Sequence, residues 1–263
     1  FSHMLLDMIA SRRRFSSATG KLACRPARSF RSLRGPVSEH LSVRMVRTEQ
    51  SNSSVVYGDR LMLKLFRRLE EGVNPDLELG AVLTDVAKFP YIAPVAGSME
   101  YVDAKGAPFT VAVLHGYVRN EGDAWNHALD AVHRFFDRVL TQSGDTPAEV
   151  VDLPRTGLVQ LAEQDLPTLA HDACNTYLES ASLLGQRTGE LHLALASVPE
   201  NREFAPEPFS ELYQRSLYQA MRGLTRRTLR LVRAKSKEYQ EQGRDEIKTL
   251  LAMEQEIMDR FRA

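Results

Sequence analysis

Between Thr48 and Gly80 the chain reads T-E-Q-S-N-S-S-V-V-Y-G-D-R-L-M-L-K-L-F-R-R-L-E-E-G-V-N-P-D-L-E-L-G, and this stretch limits the fold more than any other. A polar, serine-rich segment leads into an apolar run that ends at Tyr57. Gly58-Asp59 separates it from a second run, Leu61 to Phe66. Two short runs joined by a Gly-Asp pair predict a hairpin, because glycine tolerates positive φ in a tight turn. The second run is apolar on both faces except at Lys64, the pattern of a central, buried strand. Asn74 or Asp76 then caps a helix with Pro75 at its first position. Leu77, Leu79, Val82, Leu83 and Val86 give that helix a broad apolar face, and Glu78 stands in its first turn.

The bulk numbers remove several alternatives. Hydrophobic residues at 43% and charged residues at 26% are ordinary for a globular protein. A net charge of zero gives no global field toward nucleic acid or membrane. The first fifty residues are locally basic, from Arg12 to Arg47, and read as a solvated or partner-facing segment. Cys24 and Cys174 lie far apart and suit a reducing compartment. No apolar run reaches the roughly 20 residues of a membrane span, and no signal peptide is recognisable. The expectation is a cytoplasmic protein without a nucleic-acid or membrane partner.

In chain order, Leu5 to Ser11 reads as a short helix and Phe15 to Gly35 as irregular, with a strand near Leu22. Strands are expected at Val43 to Arg47, Ser53 to Tyr57, Leu61 to Phe66, Val95 to Val102 and Pro108 to Tyr117. They make an antiparallel sheet of about five strands with one helix against it, within the usual size of a sheet. After Asn120-Glu121-Gly122 the pattern turns helical. Helices are expected over Asp123 to Leu140, Thr176 to Ala196, Glu211 to Lys235 and Asp245 to Phe261, the last two separated near Gln242-Gly243. Gln142 to Pro154 reads as a loop, and Leu158 to Ala170 fits helix or loop. The expected organisation is α+β: an N-terminal cap or linker over 1–47, a lobe built on the sheet over 48–119, and a partial helical lobe over 120–263.

The lobe's parts suggest a chemistry. A turn between strands presents backbone N–H groups, and Gln50, Ser51, Asn52, Ser53 and Ser54 add side-chain donors for a phosphate. A plain hairpin turn explains the same residues. Lys64 inside an apolar strand is costly unless paired. It is either a lysine snorkelling from an edge strand or a phosphate ligand paired with Glu78. Turn, strand, lysine, helix and glutamate follow the order of a kinase's ATP-binding lobe, where catalysis is positioning and electrostatics. Elsewhere, His171 and Cys174 have metal-ligand spacing but lack a second pair of ligands. Trp125, Phe135 and Phe136 read as helix core in preference to a sugar platform. His127, His133 and His192 read as ordinary helix residues, and Tyr213, Arg215 and Tyr218 face either a ligand or another domain.

The run from Glu49 to Gly80 closely resembles bacterial maltokinases, which phosphorylate maltose at its anomeric position with ATP, and in particular the maltokinase portion fused behind a trehalose synthase. The resemblance continues at Phe89-Pro90, Pro94 to Gly97 and Tyr117 to Trp125. It returns at Glu190 to Ala196, Phe204 to Phe209 and Tyr213 to Gln219. It implies a fold related to aminoglycoside phosphotransferases and eukaryote-like protein kinases. It places Gln50 to Ser54 over the ATP phosphates, pairs Lys64 with Glu78, and makes Leu114-His115-Gly116-Tyr117 the hinge whose backbone meets adenine. It implies ATP and Mg²⁺ as cofactors, maltose as substrate of the parent protein, maltose 1-phosphate as product on a route from trehalose to glycogen, and a trehalose synthase, fused or separate, as partner.

One departure changes what this chain is expected to do. The family carries a catalytic loop H-G-D-x-H-x-G-Q followed by D-F-E, which supplies the base and the magnesium ligands. Here the only His-Gly pair is His115-Gly116, followed by Tyr117, and no Asp-Phe pair occurs. The expectation is therefore an ATP-binding fragment, inactive by itself, with its Mg²⁺ ligands beyond the chain. The alternative is a non-catalytic kinase-like interaction domain that tethers or regulates a trehalose synthase.

Overall fold

The computed structural model describes residues 1–46, 52–142, 157–166, 171, 174, 176–198, 203–236 and 241–262. The chain divides into two units, Phe1–Ala205 and Pro206–Ala263. The first opens with helix α1 (Ser2–Ala10), strands β1 (Arg14–Ser17) and β2 (Gly20–Pro26), and a short helix α2 (Phe30–Arg34). Strands β3 (Val43–Val46), β4 (Asn52–Tyr57) and β5 (Leu61–Phe66) follow, then helix α3 (Pro75–Asp85) and strands β6 (Val95–Asp103) and β7 (Pro108–Gly116). Helices α4 (Ala124–Gln142), α5 (Leu158–Ala162) and α6 (Thr176–Ala196) complete it.

All strands join one antiparallel sheet in the order β1-β2-β6-β7-β5-β4-β3. The fold is α+β, as expected, but the sheet has seven strands, not five. The additional pair comes from the stretch read as irregular. Its Ser, Arg and Gly content hides a period of two: Leu22 and Cys24 turn inward while Lys21 and Arg25 turn outward. β1 is exposed along its whole length and is held as an edge by main-chain pairing to β2, from Arg14 opposite Ala23 to Ser17 opposite Gly20.

The β4–β5 hairpin forms where it was expected, with Gly58 at φ 58° and Arg60 N–H donating to Tyr57 O at 3.2 Å. One face of the sheet buries Val55, Tyr57, Leu61, Leu63, Met99, Ala112 and Leu114 against Leu5, Leu6 and Ile9 of α1 and Phe30 of α2. This is the main core. Tyr57 is fully buried, its hydroxyl donates to Ser2 O at 2.7 Å, and burial together with the Asp7 carboxylate pushes its pKa up to about 12. The other face receives α3. A bulge at the register shift between Met99 and Glu100 leaves Val111 as an extra residue on β7. It turns Thr110 toward α3, where its hydroxyl accepts the Asn74 N–H at 3.0 Å.

The helices of the first unit beyond the sheet are packed far more loosely. α6 has the predicted bounds but no buried residue. Trp125 is 73% exposed and Phe136 is exposed, so these two are not helix core, while Phe135 is half-buried beside Phe136. The loop expected over 142–154 lies almost wholly outside the described residues.

The second unit consists of α7 (Glu211–Lys235), α8 (Glu241–Ala252) and α9 (Glu254–Arg260). Ser210 caps α7 by accepting the Tyr213 N–H at 3.2 Å. Leu229 and Met258 are its buried side chains, and Arg233 pairs with Glu254 at 3.6 Å. The expected separation from α7 falls earlier than Gly243, since α8 already begins at Glu241, and the expected second helix is divided in two at Met253.

Candidate functional site

The strand registers decide which side chains share a face with Lys64. Ser54 of β4 stands opposite Lys64, Lys64 opposite Val113 of β7, and Val113 opposite Ser98 of β6. Two residues along, Met62 stands opposite His115. Lys64 and His115 therefore project from the same face, the one α3 crosses.

Local chemistry pins α3 there. The Asn74 side chain caps the helix by accepting the Asp76 N–H at 2.9 Å, with Pro75 at the first position. Thr84 accepts the Val95 N–H at 3.0 Å from the far end. Between them Gly80 lets the helix lie close, since a Cβ there would meet Val95 Cγ2 at 2.7 Å. The result sets the Asp76 carboxylate over the strand, and Lys64 Nζ donates to Asp76 Oδ2 at 2.8 Å.

The pairing differs from the expected one: Lys64 meets Asp76, not Glu78. The reason is helical phase. Residues two apart are about 200° apart around an α-helix, so only one of the two carboxylates can face β5. Asp76, Gly80 and Leu83 fall at i, i+4 and i+7 on one stripe, and Gly80 and Leu83 are buried. The signal was present in the sequence as the alignment of Asp76 with that glycine. Glu78 turns instead to Glu203. Burial, and then a hydrogen bond and like charge from Glu203, raise the Glu78 carboxyl above its ordinary value.

The Lys64 and Asp76 side chains are 31% and 33% exposed. A pair this accessible is worth roughly 1 kcal/mol or less. Its consequence is orientation: it holds a lysine ammonium at an accessible place on an otherwise apolar strand. Phe66 supports the same group, with its ring centroid 5.9 Å from Lys64 Nζ. His115 closes the cluster. Its Nε2 lies 3.6 Å from Asp76 Oδ1 and its Nδ1 lies 3.3 Å from Ala93 O. Burial lowers the imidazole below its ordinary value; Asp76 and the Ala93 carbonyl pull the other way without overcoming it, and Lys64 adds to the lowering.

The other expected site residues scatter. Gln50 and Ser51 lie outside the described residues. Asn52 and Ser54 share the Lys64 face by register, opposite Phe66 and Lys64, and Ser54 is fully buried there; Ser53, opposite Leu65, faces α1. At the expected hinge, Gly116 N–H donates to Pro94 O and Tyr117 N–H to Arg60 O, both at 2.8 Å. Both donors are used inside the lobe.

Beside Asp76 a groove of about 420 Å³ opens between α3, the 89–92 loop and α6. Arg187 lines it, stacked 3.5 Å from the Tyr91 ring centroid and paired with Glu190 at 2.7 Å. His127 packs on Tyr177 with Nε2 3.3 Å from Ser180 Oγ, a packing role. In the second unit, Tyr218 accepts from Arg262 at 3.0 Å and Arg215 pairs with Glu211 at 3.7 Å. Among the described residues no three His, Cys, Asp or Glu side chains converge to hold a metal ion. No helix among them is long and apolar enough to cross a membrane.

No family model matches the chain. Solved structures that share its fold include a glucosamine kinase in complex with glucosamine, ADP and inorganic phosphate, at TM-score 0.57 and 19% identity over 99% of this chain and 48% of that one. Two other crystal forms of glucosamine kinase match at TM-score 0.53 with 20% identity and at 0.54 with 17%. They cover 99% and 98% of this chain, and 49% and 45% of theirs. The chain thus spans about half the length of the kinases it matches, and it shares their fold.

Proposed function

We propose that this chain is the nucleotide-binding part of an ATP-dependent sugar phosphotransferase. The observation that carries the reading is Lys64, held at an accessible point of the sheet by Asp76 of α3 at 2.8 Å. Phosphoryl transfer asks a protein mainly to position and neutralise phosphates. An oriented ammonium beside a helix that anchors it meets that need at the α- and β-phosphates. The shared fold with glucosamine kinases, one of them carrying ADP, supports the same reading. Asp76 is the anchor and Lys64 the phosphate ligand. Mg²⁺, when bound with ATP, would supply further neutralisation.

The acceptor sugar is proposed as maltose, on the resemblance of the Glu49–Gly80 run, with maltose 1-phosphate as the product of the complete enzyme and a trehalose synthase, fused or separate, as partner. The residues that act on the sugar hydroxyl are assigned to no position of this chain, since the H-G-D-x-H loop is absent from it.

The test is footprinting of lysines with an amine-reactive reagent, read by mass spectrometry, with and without ATP. ATP is expected to slow the modification of Lys64 selectively among the lysines. Equal labelling of Lys64 at saturating nucleotide rejects the reading and leaves the interaction-domain alternative, which predicts co-elution with a trehalose synthase and indifference to ATP. Supplying H-G-D-x-H through a longer chain and measuring transfer from radiolabelled ATP to maltose or glucosamine decides the acceptor.

A further inference from the structure

We propose that His115 is a positioning residue that couples the lysine pair to protons: Asp76 is shared between Lys64 and His115, and nucleotide binding transfers it from the first to the second. The proposal rests on the nucleotide reading of Lys64 given above.

The geometry supports an exchange of partners. Asp76 presents Oδ2 to Lys64 Nζ at 2.8 Å and Oδ1 to His115 Nε2 at 3.6 Å. The first is a formed bond; the second is about 0.8 Å too long for one, judged against a charge-assisted N–H···O bond. The far ring nitrogen, Nδ1, faces the Ala93 carbonyl at 3.3 Å, an acceptor, so Nδ1 carries the proton of the neutral ring. Nε2 then turns a lone pair toward a carboxylate oxygen. Neither group can donate, and the gap stays open. One proton from solvent on Nε2 converts that contact into a charge-assisted bond.

Among the described residues the charges around the ring are few. His115 lies on β7 between Met62 of β5 and Val95 of β6, both uncharged. Lys64 of β5 and Asp76 of α3 are the charged groups acting on it. Glu78, in the same first turn of α3, is engaged with Glu203. Arg187 of α6 lines the groove beyond Asp76 and is paired with Glu190. In the empty site Lys64 opposes protonation of His115 and also occupies its counter-ion. When a nucleotide's phosphates draw Lys64 Nζ away, both effects relax together, and the phosphates add negative charge nearby. Protonation of His115 and nucleotide binding therefore favour one another. Linkage requires the reverse as well: acidification through the titration of His115 strengthens nucleotide binding.

Two measurements on the full chain test this with ADP as the probe. Titration calorimetry in buffers of different ionisation enthalpy is expected to show proton uptake on binding near pH 6. Subtracting the same measurement on His115→Gln removes protons exchanged by the ADP phosphate itself. ADP affinity is expected to rise about 5-fold more in the wild-type chain than in the variant between pH 8 and pH 5.5, the low end of ordinary coupling between sites. Imidazole NMR on the unsubstituted chain is independent of whether the variant folds: the His115 midpoint is expected to move up when ADP is added. Binding of ADP with an unmoved His115 midpoint overturns the relay and leaves the nucleotide site standing. Proton uptake as large in His115→Gln as in the wild-type chain does the same. Absence of ADP binding overturns the nucleotide reading and this proposal with it.

Discussion

The sheet and the helices of the first unit contrast in how each uses its apolar residues. Both are strongly patterned. In the sheet the pattern ends in burial: Leu61, Leu63, Ala112 and Leu114 are wholly inaccessible, closed between flanking strands and α1. In α4 and α6 large apolar side chains stay exposed, with Trp125 and Leu193 both at 73%. Periodicity is a property of one segment, whereas burial requires a second surface. Stability and geometric precision should therefore concentrate in the sheet, which is also where Lys64, Asp76 and His115 meet.

The largest expected effect tests that contrast directly. Leu63→Ala should cost about 2–5 kcal/mol, the range for emptying a leucine-sized volume in a closed core, while Leu193→Ala should cost about 0.5 kcal/mol or less. Urea midpoints of the two variants check it, and equal losses would erase the contrast. Next, Lys64→Met should weaken ADP binding about 10-fold or more, the loss of one charge-assisted contact at roughly 1.5–3 kcal/mol, with little change in the urea midpoint because the Asp76 pair is accessible. Calorimetry and denaturation on the same sample separate the two.

Gly80→Ala sharpens the link between packing and site. Helix propensity alone predicts a gain of about 1 kcal/mol. The Cβ would meet Val95 Cγ2 at 2.7 Å, so α3 must lift from the sheet and carry Asp76 from Lys64. The expected net is a loss of about 1–3 kcal/mol, as for overpacking, together with weaker ADP binding. A stabilised variant with normal binding would show that α3 is not held by this contact.

The smallest effects are in pH. Glu78 is raised, so the folded chain holds its proton more tightly than the unfolded one. Stability from Glu78 is full below the ordinary carboxyl value and is lost as pH rises through its folded value; Glu78→Gln should flatten that part of the curve. His115 is lowered, so the unfolded chain binds the proton more tightly, and stability declines as pH falls below the ordinary imidazole value of about 6.5. Denaturation midpoints across pH 4 to 8 read both slopes.

Much of this lobe could be read before the structure. The β4–β5 hairpin, the Asn74-Pro75 start of α3 and the Thr176–Ala196 helix follow from turn chemistry, capping and period, which act over a few residues. β2 was anticipated only as a strand near Leu22, and β1 was missed because it has no apolar face of its own and depends on main-chain bonds to β2. The lysine was recognised as exceptional, yet its partner was misassigned, because two carboxylates in one helical turn look alike until the helix is docked and its phase selects one.

The chain from Thr48 to Gly80 thus dictates locally that a lysine will sit on a buried strand and a carboxylate will begin the next helix. Which carboxylate, and that His115 joins them from a strand 51 residues further along, depends on registers between β4, β5, β6 and β7 and on the close approach at Gly80. Local propensities act through bonded neighbours. A site such as this one is made by side chains brought within 4 Å from separate segments, and only the packed sheet and helix set those distances.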